Sequence, residues 1–370
     1  MSETAEGGDG VRSRVEALLT RHSDELRRQV LATAPEAGPL AGSVAEMLAS
    51  GKRLRASFTY WSWRAHGGEP GTSGEDAALR AGASLELFHA AALFHDDVID
   101  DSDTRRGRPA AHRAFAAAHR REALAGDDER FGVSVAILVG DLALVASDRE
   151  AAAAFALLPA GPAGAARAVF DEMRTEVTVG QYLDVLAQAQ PWDGDPDRLE
   201  ARARQVIRAK SARYSVEHPL VLGAAIAGAD DEALAACRAI GLPLGEAFQL
   251  RDDLLGVFGD PAVTGKPAGD DLREGKRTVL VAHALRRALA DGDEATVELL
   301  RTRLGDPGLT GEEAARVAAA IAATRAPDEV EALIAQLAGE ALALAEARHW
   351  PDPACTRLLD LARAAVDRRS

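Results

Sequence analysis

An all-α fold is predicted by three features of the chain. Alanine and leucine dominate its apolar residues while β-branched runs are short, and apolar residues recur at three- and four-residue spacing through most of its length. No strand-length alternating segments appear at regular intervals. With 370 residues, 47% of them hydrophobic, one oversized core is within reach. No linker is long or biased enough to argue for two domains. The expectation is a single large helical bundle over 11–370, preceded by a disordered tail at 1–10, "MSETAEGGDG".

Taken in order, "VRSRVEALLTRHSDELRRQVLA" (11–32) has the spacing of an amphipathic helix. The same spacing predicts helices over 40–64, where "GKRLRA" leads into "FTYWSW", and over 76–101, beyond the breaker "HGGEPGTSG" (66–74). "RGRP" (106–109) then separates a helix over 110–123. Alanine-rich helices follow over 131–149, 151–157 and 163–189, and "QPWDGDP" (190–196) ends that run. Helices over 197–227 and 230–258 precede "GDPAVTGKPAG" (259–269), and another covers 276–303. "GDPG" (305–308) and "WPDP" (350–353) bound the last three, over 311–324, 328–349 and 353–368.

A net charge of −15 and a pI of 5.1 argue against nucleic acid and anionic membrane surfaces as partners. The two cysteines, Cys237 and Cys355, form neither a CxxC pair nor a disulfide framework, which fits a reducing compartment. The polar start shows no signal peptide, and "VSVAILVG" (133–140) is too short to span a membrane. A soluble cytoplasmic protein is expected.

The chemistry concentrates in "FHDDVIDDSDTRRGRPAAH" (94–112), where five aspartates run into three arginines. In a helix Asp96 and Asp100 share a face, with Asp97 and Asp101 on the adjoining strip, and like charges at that spacing cost a few tenths of a kcal/mol per pair. A cation relieves the cost. Mg²⁺ takes carboxylate oxygens and bridges them to substrate phosphates. Of six Asp-Asp dipeptides, "GDDER" (126–130) and "GADDEAL" (228–234) read as solvated turns or helix starts. Asp96–Asp97 and Asp252–Asp253 differ: each follows an apolar helical run, "ELFHAAALFH" and "GEAFQLR", which suits the rim of an apolar cavity.

Cations accompany them: Lys52, Arg53 and Arg55 in "GKRLRA", Arg105 and Arg106 after the first cluster, Lys210 in "IRAKSARYS", and Lys266 and Lys276 in "TGKPAGDDLREGKRT". Each alone reads as a surface ion pair worth under about 1 kcal/mol. Together, arginine forks and lysine point charges suit diphosphates. Neither GxxxxGK[ST] nor GxGxxG occurs, so a nucleotide has no support.

"GKRLRA", "HDDVIDDSDTRRGRP", "KSA", "FQLRDD" and "TGKPAGDDLREGKRT" stand in the order and at about the distances of the trans-isoprenyl diphosphate (polyprenyl) synthases, which the chain resembles over roughly 40–300. The resemblance implies a helical bundle around a central apolar cavity and a Mg²⁺-dependent prenyltransferase, a homodimer that joins isopentenyl diphosphate to an allylic diphosphate. It implies about three Mg²⁺ ions held with the allylic diphosphate. Asp96, Asp97 and Asp100 would form the first metal cluster, and Asp252 and Asp253 the second. Arg105, Lys210 and Lys266 would hold the allylic diphosphate. Lys52, Arg55, His89 and Arg106 would hold isopentenyl diphosphate, with Lys276 a further substrate-binding cation. Ser211 and Gln249 match positions near the reacting carbons, and Gln181 and Asp184 ("GQYLD") a motif lining the cavity.

The second cluster departs from the family's DDxxD: it reads "DDLLG", with Gly256 last, and Asp271 is the candidate outer carboxylate. Product length in the family follows the residues four and five places before the first aspartate. Here these are the small Ala92 and Ala91, with Phe88 two turns below and Leu138 and Val139 as a candidate floor. Geranylgeranyl diphosphate is the expected product, with farnesyl or longer products, a class I terpene cyclase and a weakly active subunit as alternatives. The cyclase's NxxxSxxxE motif is not found. A di-iron bundle built on Glu86–His89 and Glu346–His349 has only chance ExxH spacing behind it.

Overall fold

The ends of the helices are set by side-chain caps and by left-handed residues in a computed structural model that describes residues 8–192, 194–259, 269–306 and 308–367. α1 (Gly8–Thr33) leads through a 3-10 turn at Pro35–Ala37 into α2 (Gly38–Leu48), α3 (Leu54–Ala65) and α4 (Ser73–Ile99). A hairpin of β1 (Thr104–Arg105) and β2 (Arg108–Pro109) precedes α5 (Ala111–Arg121), α6 (Asp128–Phe155) and α7 (Ala160–Ala189). Next come α8 (Pro196–Val206), a π-helix (Ile207–Glu217), α9 (His218–Ala227) and α10 (Asp231–Phe258). The chain ends in α11 (Asp270–Arg273), α12 (Val279–Asp291), α13 (Glu294–Arg303), α14 (Gly311–Ala323), α15 (Ala326–Glu346) and α16 (Ala354–Val366).

The all-α expectation holds, and both dismissed Asp-Asp pairs are helix starts. Asp127 accepts from Arg130 N at 2.8 Å and Asp230 from Ala233 N at 2.9 Å. Five boundaries differ from expectation. The helix expected over 40–64 breaks at 49–53, where Gly51 (φ +133) and Arg53 (φ +53) leave the right-handed region. The segments at 131–149 and 151–157 join as α6. The 276–303 segment divides at Gly292, with Asp293 capping α13 through Thr296 N at 3.0 Å. "TRRGRP" forms a hairpin because Arg106 and Gly107 both have positive φ, as a two-residue type I′ turn requires. Residues 8–10, placed in the tail from composition, begin α1, while 1–7 lie outside the described residues.

The chain divides into two compact units. One comprises Met1–Asp171, Pro219–Cys237 and Trp350–Leu361, the other Glu172–His218, Arg238–His349 and Ala362–Ser370. Four of the five seams fall inside α7, α9, α10 and α16, which is why no linker composition marks them. In the first unit α4 packs on α3 and α6, around Phe58, Trp61, Leu85, Leu87 and Phe94. In the second, the π-helix is gripped by glycines. A Cβ on Gly180 of α7 would lie 2.3 Å from Lys210 N, and one on Gly245 of α10 would lie 2.3 Å from Ala212 O, so backbones meet where no side chain fits. π-geometry inside helical segments often marks functional sites, and this one carries Lys210 and Ser211.

α6 is long and apolar enough to cross a membrane by length and composition alone, a test that the core helix of a globular protein also passes. It carries Asp141 and packs on α4 and α5.

Candidate active site

In the first unit α4 serves three surroundings at once. Gly82 and Glu86 face α3, where a Cβ on Gly82 would lie 2.9 Å from Ala56 Cβ and Ala56 N donates to Glu86 Oε1 at 3.4 Å. Arg80, Ser84 and His95 face α6: Arg80 Nη1 donates to Glu150 Oε1 at 3.1 Å, Ser147 Oγ to Ser84 O at 2.7 Å, and His95 Nε2 lies 3.1 Å from Ile137 O. Ala91 belongs to this second strip and is fully buried. Phe88, Ala92, Asp96 and Asp100, at four-residue steps, form the remaining strip, and its last three members are only half-buried. The two alanines that sequence placed together as chain-length residues therefore have different surroundings. Leu138, expected in a floor, is 54% exposed, while Val139 is buried.

The three aspartates of the first cluster also differ. Asp97 is fully buried and accepts from Arg105 Nε at 2.8 Å and from Arg105 Nη2, which also lies 3.7 Å from Asp96 Oδ2. Asp96 and Asp100 are one turn apart at the end of α4, with Asp100 N donating to Asp96 O at 2.8 Å. Asp101 and Asp103 pair instead with Arg113, at 2.9 and 3.0 Å. Asp97 thus orients Arg105, while Asp96 and Asp100 stand one turn apart on the half-buried strip, both carboxylate oxygens of Asp100 being turned away from solvent.

Next to them the 49–53 loop is tied down by two arginines. Arg53, buried, donates to Ser50 O at 3.0 Å and to Leu48 O. Arg106 Nη1 donates to Met47 O at 2.7 Å, Ser50 O at 2.6 Å and Ser50 Oγ at 2.9 Å. Both thereby cap the C-terminal end of α2, whose carbonyls attract cations. The expected diphosphate ligand Arg106 is engaged with backbone in this state. Lys52 stands exposed on the loop and Arg55 half-buried in the first turn of α3. Burial, reinforced by Arg55, Arg106 and Arg105, holds the His89 imidazolium well below its ordinary pKa, so His89 is neutral near pH 7.

In the second unit, Lys210 Nζ donates to Asp184 Oδ2 at 2.5 Å, joining the π-helix to α7. Asp184 is buried, so the "GQYLD" motif is not a surface pair. Ser211 and Gln249 are half-buried, and Gln249 Nε2 donates to Asp253 Oδ1 at 2.8 Å. Asp252 is half-buried and Asp253 buried. The Asp253 carboxyl is pushed up to about 8, chiefly by burial and then by the negative charges of Asp271 and Asp252. Lys276 Nζ lies 3.7 Å from Asp271 Oδ1 and also pairs with Glu274. Lys266 lies outside the described residues.

These donors fit magnesium. Each set offers hard carboxylate oxygens, and in the second burial, with the charges of Asp271 and Asp252, makes Asp253 favour its proton, a cost a divalent cation relieves. Among the described residues no three or more His, Cys, Asp or Glu side chains are grouped around one metal-sized point. Mg²⁺ needs only one or two protein carboxylates beside its waters and a phosphate.

Sequence reading missed Arg53 as a buried clasp and Gly180 as a packing contact. It also missed Arg251, which sits between Gln249 and Asp252 and donates to Val366 O at 3.0 Å and to Glu331 Oε2 at 2.6 Å. A lone glycine inside the α7 pattern was the available signal for Gly180. Nothing local distinguishes a buried arginine from an exposed one.

The sequence model of the polyprenyl synthetase family matches residues 39–316. The chain is 34% identical over 267 residues to a geranylfarnesyl diphosphate synthase of Aeropyrum pernix, covering 70% of this chain and 74% of that one. It is 33% identical over 301 residues to a geranylgeranyl diphosphate synthase of Mycobacterium tuberculosis, covering 78% and 75%. Its fold is similar, with a TM-score of 0.88 and 39% identity over 98% of each chain, to a geranylgeranyl pyrophosphate synthase from Corynebacterium glutamicum complexed with isoprenyl diphosphate and magnesium.

Proposed function

The chain belongs to the polyprenyl synthetase family and is a trans-prenyltransferase, and from that premise we propose that it makes chiefly geranylgeranyl diphosphate, in the cytoplasm, as a magnesium-dependent homodimer. Magnesium bound by the aspartates supplies positive charge against the departing diphosphate. Asp96 and Asp100 would hold such ions at the end of α4, and Asp252 and Asp253 would hold them on α10. Asp97 keeps Arg105 aimed, and Asp184 does the same for Lys210, so two cations are fixed before any charge develops, the condition under which electrostatic stabilisation lowers a barrier. Lys266 would bring a further positive charge to the diphosphate. The allylic carbon–oxygen bond breaks with its electron pair on the diphosphate oxygen. The double bond of isopentenyl diphosphate, whose diphosphate is held by Lys52, Arg55, neutral His89 and Arg106, forms the new carbon–carbon bond to that carbon. The resulting cation then loses a proton to the released diphosphate. Ser211 and Gln249 turn oxygen lone pairs toward the positive carbons.

The observation that carries the product assignment is the open strip of α4. Ala92, small and half-buried, lies one turn before Asp96, and Phe88 lies one turn before Ala92 and is buried. The side chain four residues before Asp96 is thus small, which favours a tail longer than fifteen carbons. Relatives that make twenty- and twenty-five-carbon products share this family, so the assay must size the product. Incubation with Mg²⁺, isopentenyl diphosphate and each allylic diphosphate, with products sized by chromatography, should give mainly the twenty-carbon diphosphate. A fifteen-carbon or a twenty-five-carbon end product would overturn the length assignment, and no turnover by the isolated chain would overturn the enzyme assignment.

The dimer reading rests on α6. Phe131, Leu138 and Val145, at seven-residue spacing on one face, are 36%, 54% and 67% exposed. An apolar stripe of that length on water favours a covering partner, and a second copy is the simplest. Light scattering should find a dimer that Leu138→Glu with Val145→Glu converts to monomer.

A further inference from the structure

We propose that Asp271 supplies, from α11, the carboxylate that position 256 lacks, and that Gly256 is glycine because Asp271 occupies its space. The inference rests on the magnesium–diphosphate reading above and adds a residue pair to it. Gly256 follows Asp252 by four residues, so both lie on one face of α10. A Cβ built on Gly256 would lie 2.0 Å from Asp271 Oδ2 and 2.5 Å from Asp271 Cγ, so the Asp271 carboxylate would have to shift to admit one. The Asp271 carboxylate therefore stands at the place on α10 where the side chain of a fifth motif residue would begin.

That placement is held from behind. Gly269, at φ +72, turns the chain into α11, and the fully buried Leu272 roots the short helix. Gly305 N donates to Leu272 O at 2.9 Å, and Lys276 N donates to Asp271 O at 3.0 Å. The Asp271 backbone is thus fixed on both sides, and a side chain at 256 would have to displace its carboxylate. The usual DDxxD and this chain's DDxxG with Asp271 are then two ways to bring one oxygen donor to the same turn of α10. They exclude each other here. An aspartate at 256, although it restores the common pattern, should harm this enzyme.

The test uses Gly256→Asp, Asp271→Asn and the double variant Gly256→Asp with Asp271→Gly, which moves the carboxylate from one helix to the other. Two quantities are read: the Mg²⁺ half-saturation of turnover, and the rise in unfolding midpoint on adding Mg²⁺ with inorganic diphosphate. Each single variant should weaken Mg²⁺ half-saturation about tenfold, as loss of a group supporting a metal site does, and should shrink the ligand-induced rise. The double variant should recover most of both. Asp271→Asn keeps the size of the side chain, so it decides the matter even if an aspartate at 256 prevents folding. Wild-type Mg²⁺ dependence in Asp271→Asn overturns the proposal, as does a fully active Gly256→Asp. If wild type itself shows neither turnover nor a rise, the prenyltransferase reading fails. If wild type shows both and Asp271→Asn matches it, only the role of Asp271 fails.

Discussion

Phenylalanine at 91 and at 92 should have opposite consequences, although the two positions are adjacent and both were read from sequence as chain-length residues. Ala91 has no exposed surface and lies on the strip of α4 that carries Arg80, Ser84 and His95 against α6. Six extra ring carbons there have to push α4 and α6 apart, and overpacking of that kind costs about 1–3 kcal/mol or more. For a folded unit of this size each kcal/mol lowers the unfolding midpoint by about 2–4 °C, so Ala91→Phe should lose roughly 2–12 °C. Ala92 faces the strip of Phe88, Asp96 and Asp100 and is only half-buried, so Ala92→Phe should cost under about 1 kcal/mol. Its ring would instead stand where a growing tail passes, and the product should shorten to fifteen carbons. Thermal unfolding and product chromatography on both variants separate the effects. A variant at 91 that unfolds like wild type and shortens the product as the variant at 92 does would refute the strip assignment.

Asp96→Ala and Asp252→Ala should each lower kcat by at least about a hundredfold, as loss of leaving-group stabilisation does; steady-state rates near wild type in either would remove that residue from the metal site. Asp253, with a folded pKa of about 8 against an ordinary 3.8, binds its proton more tightly when folded. Its contribution to stability in chelator is therefore complete below about pH 4 and is lost as pH rises through 8, and Asp253→Asn should flatten that slope in pH-dependent melts. Because Mg²⁺ must displace that proton, its half-saturation should tighten as pH rises toward 8, and a pH-independent value would contradict the assignment. Gly180→Ala, which should stabilise an ordinary helix by up to about 1 kcal/mol, should instead destabilise, because the added Cβ would lie 2.3 Å from Lys210 N; a raised midpoint would show that the π-helix is not gripped there.

Chemistry that is local along the chain could be read without coordinates. Three- and four-residue periodicity marked the helices, and cap residues set Asp127–Asp128 and Asp230–Asp231 apart from the pairs that end apolar helical runs. The ordered acidic and basic motifs pointed to a diphosphate and its metal. The breaks at Gly51 and Gly292 were missed because a single left-handed residue interrupts a helix without disturbing the apolar spacing on either side. The π-helix escaped for a similar reason: its composition differs little from that of an α-helix, and its geometry comes from close contacts at Gly180 and Gly245.

By itself, the order of residues determined which side chains share a helical face, since that follows from 3.6 residues per turn. What covers each face was decided only by tertiary packing, because the covering groups come from segments far away in the chain. Hence Ala91 is sealed while Ala92 is half-buried, Asp97 is bound to Arg105, and Asp184 meets Lys210 from 26 residues away. The glycine in "DDLLG" looked like a lost carboxylate, and only the position of Asp271 against it shows how that space is filled.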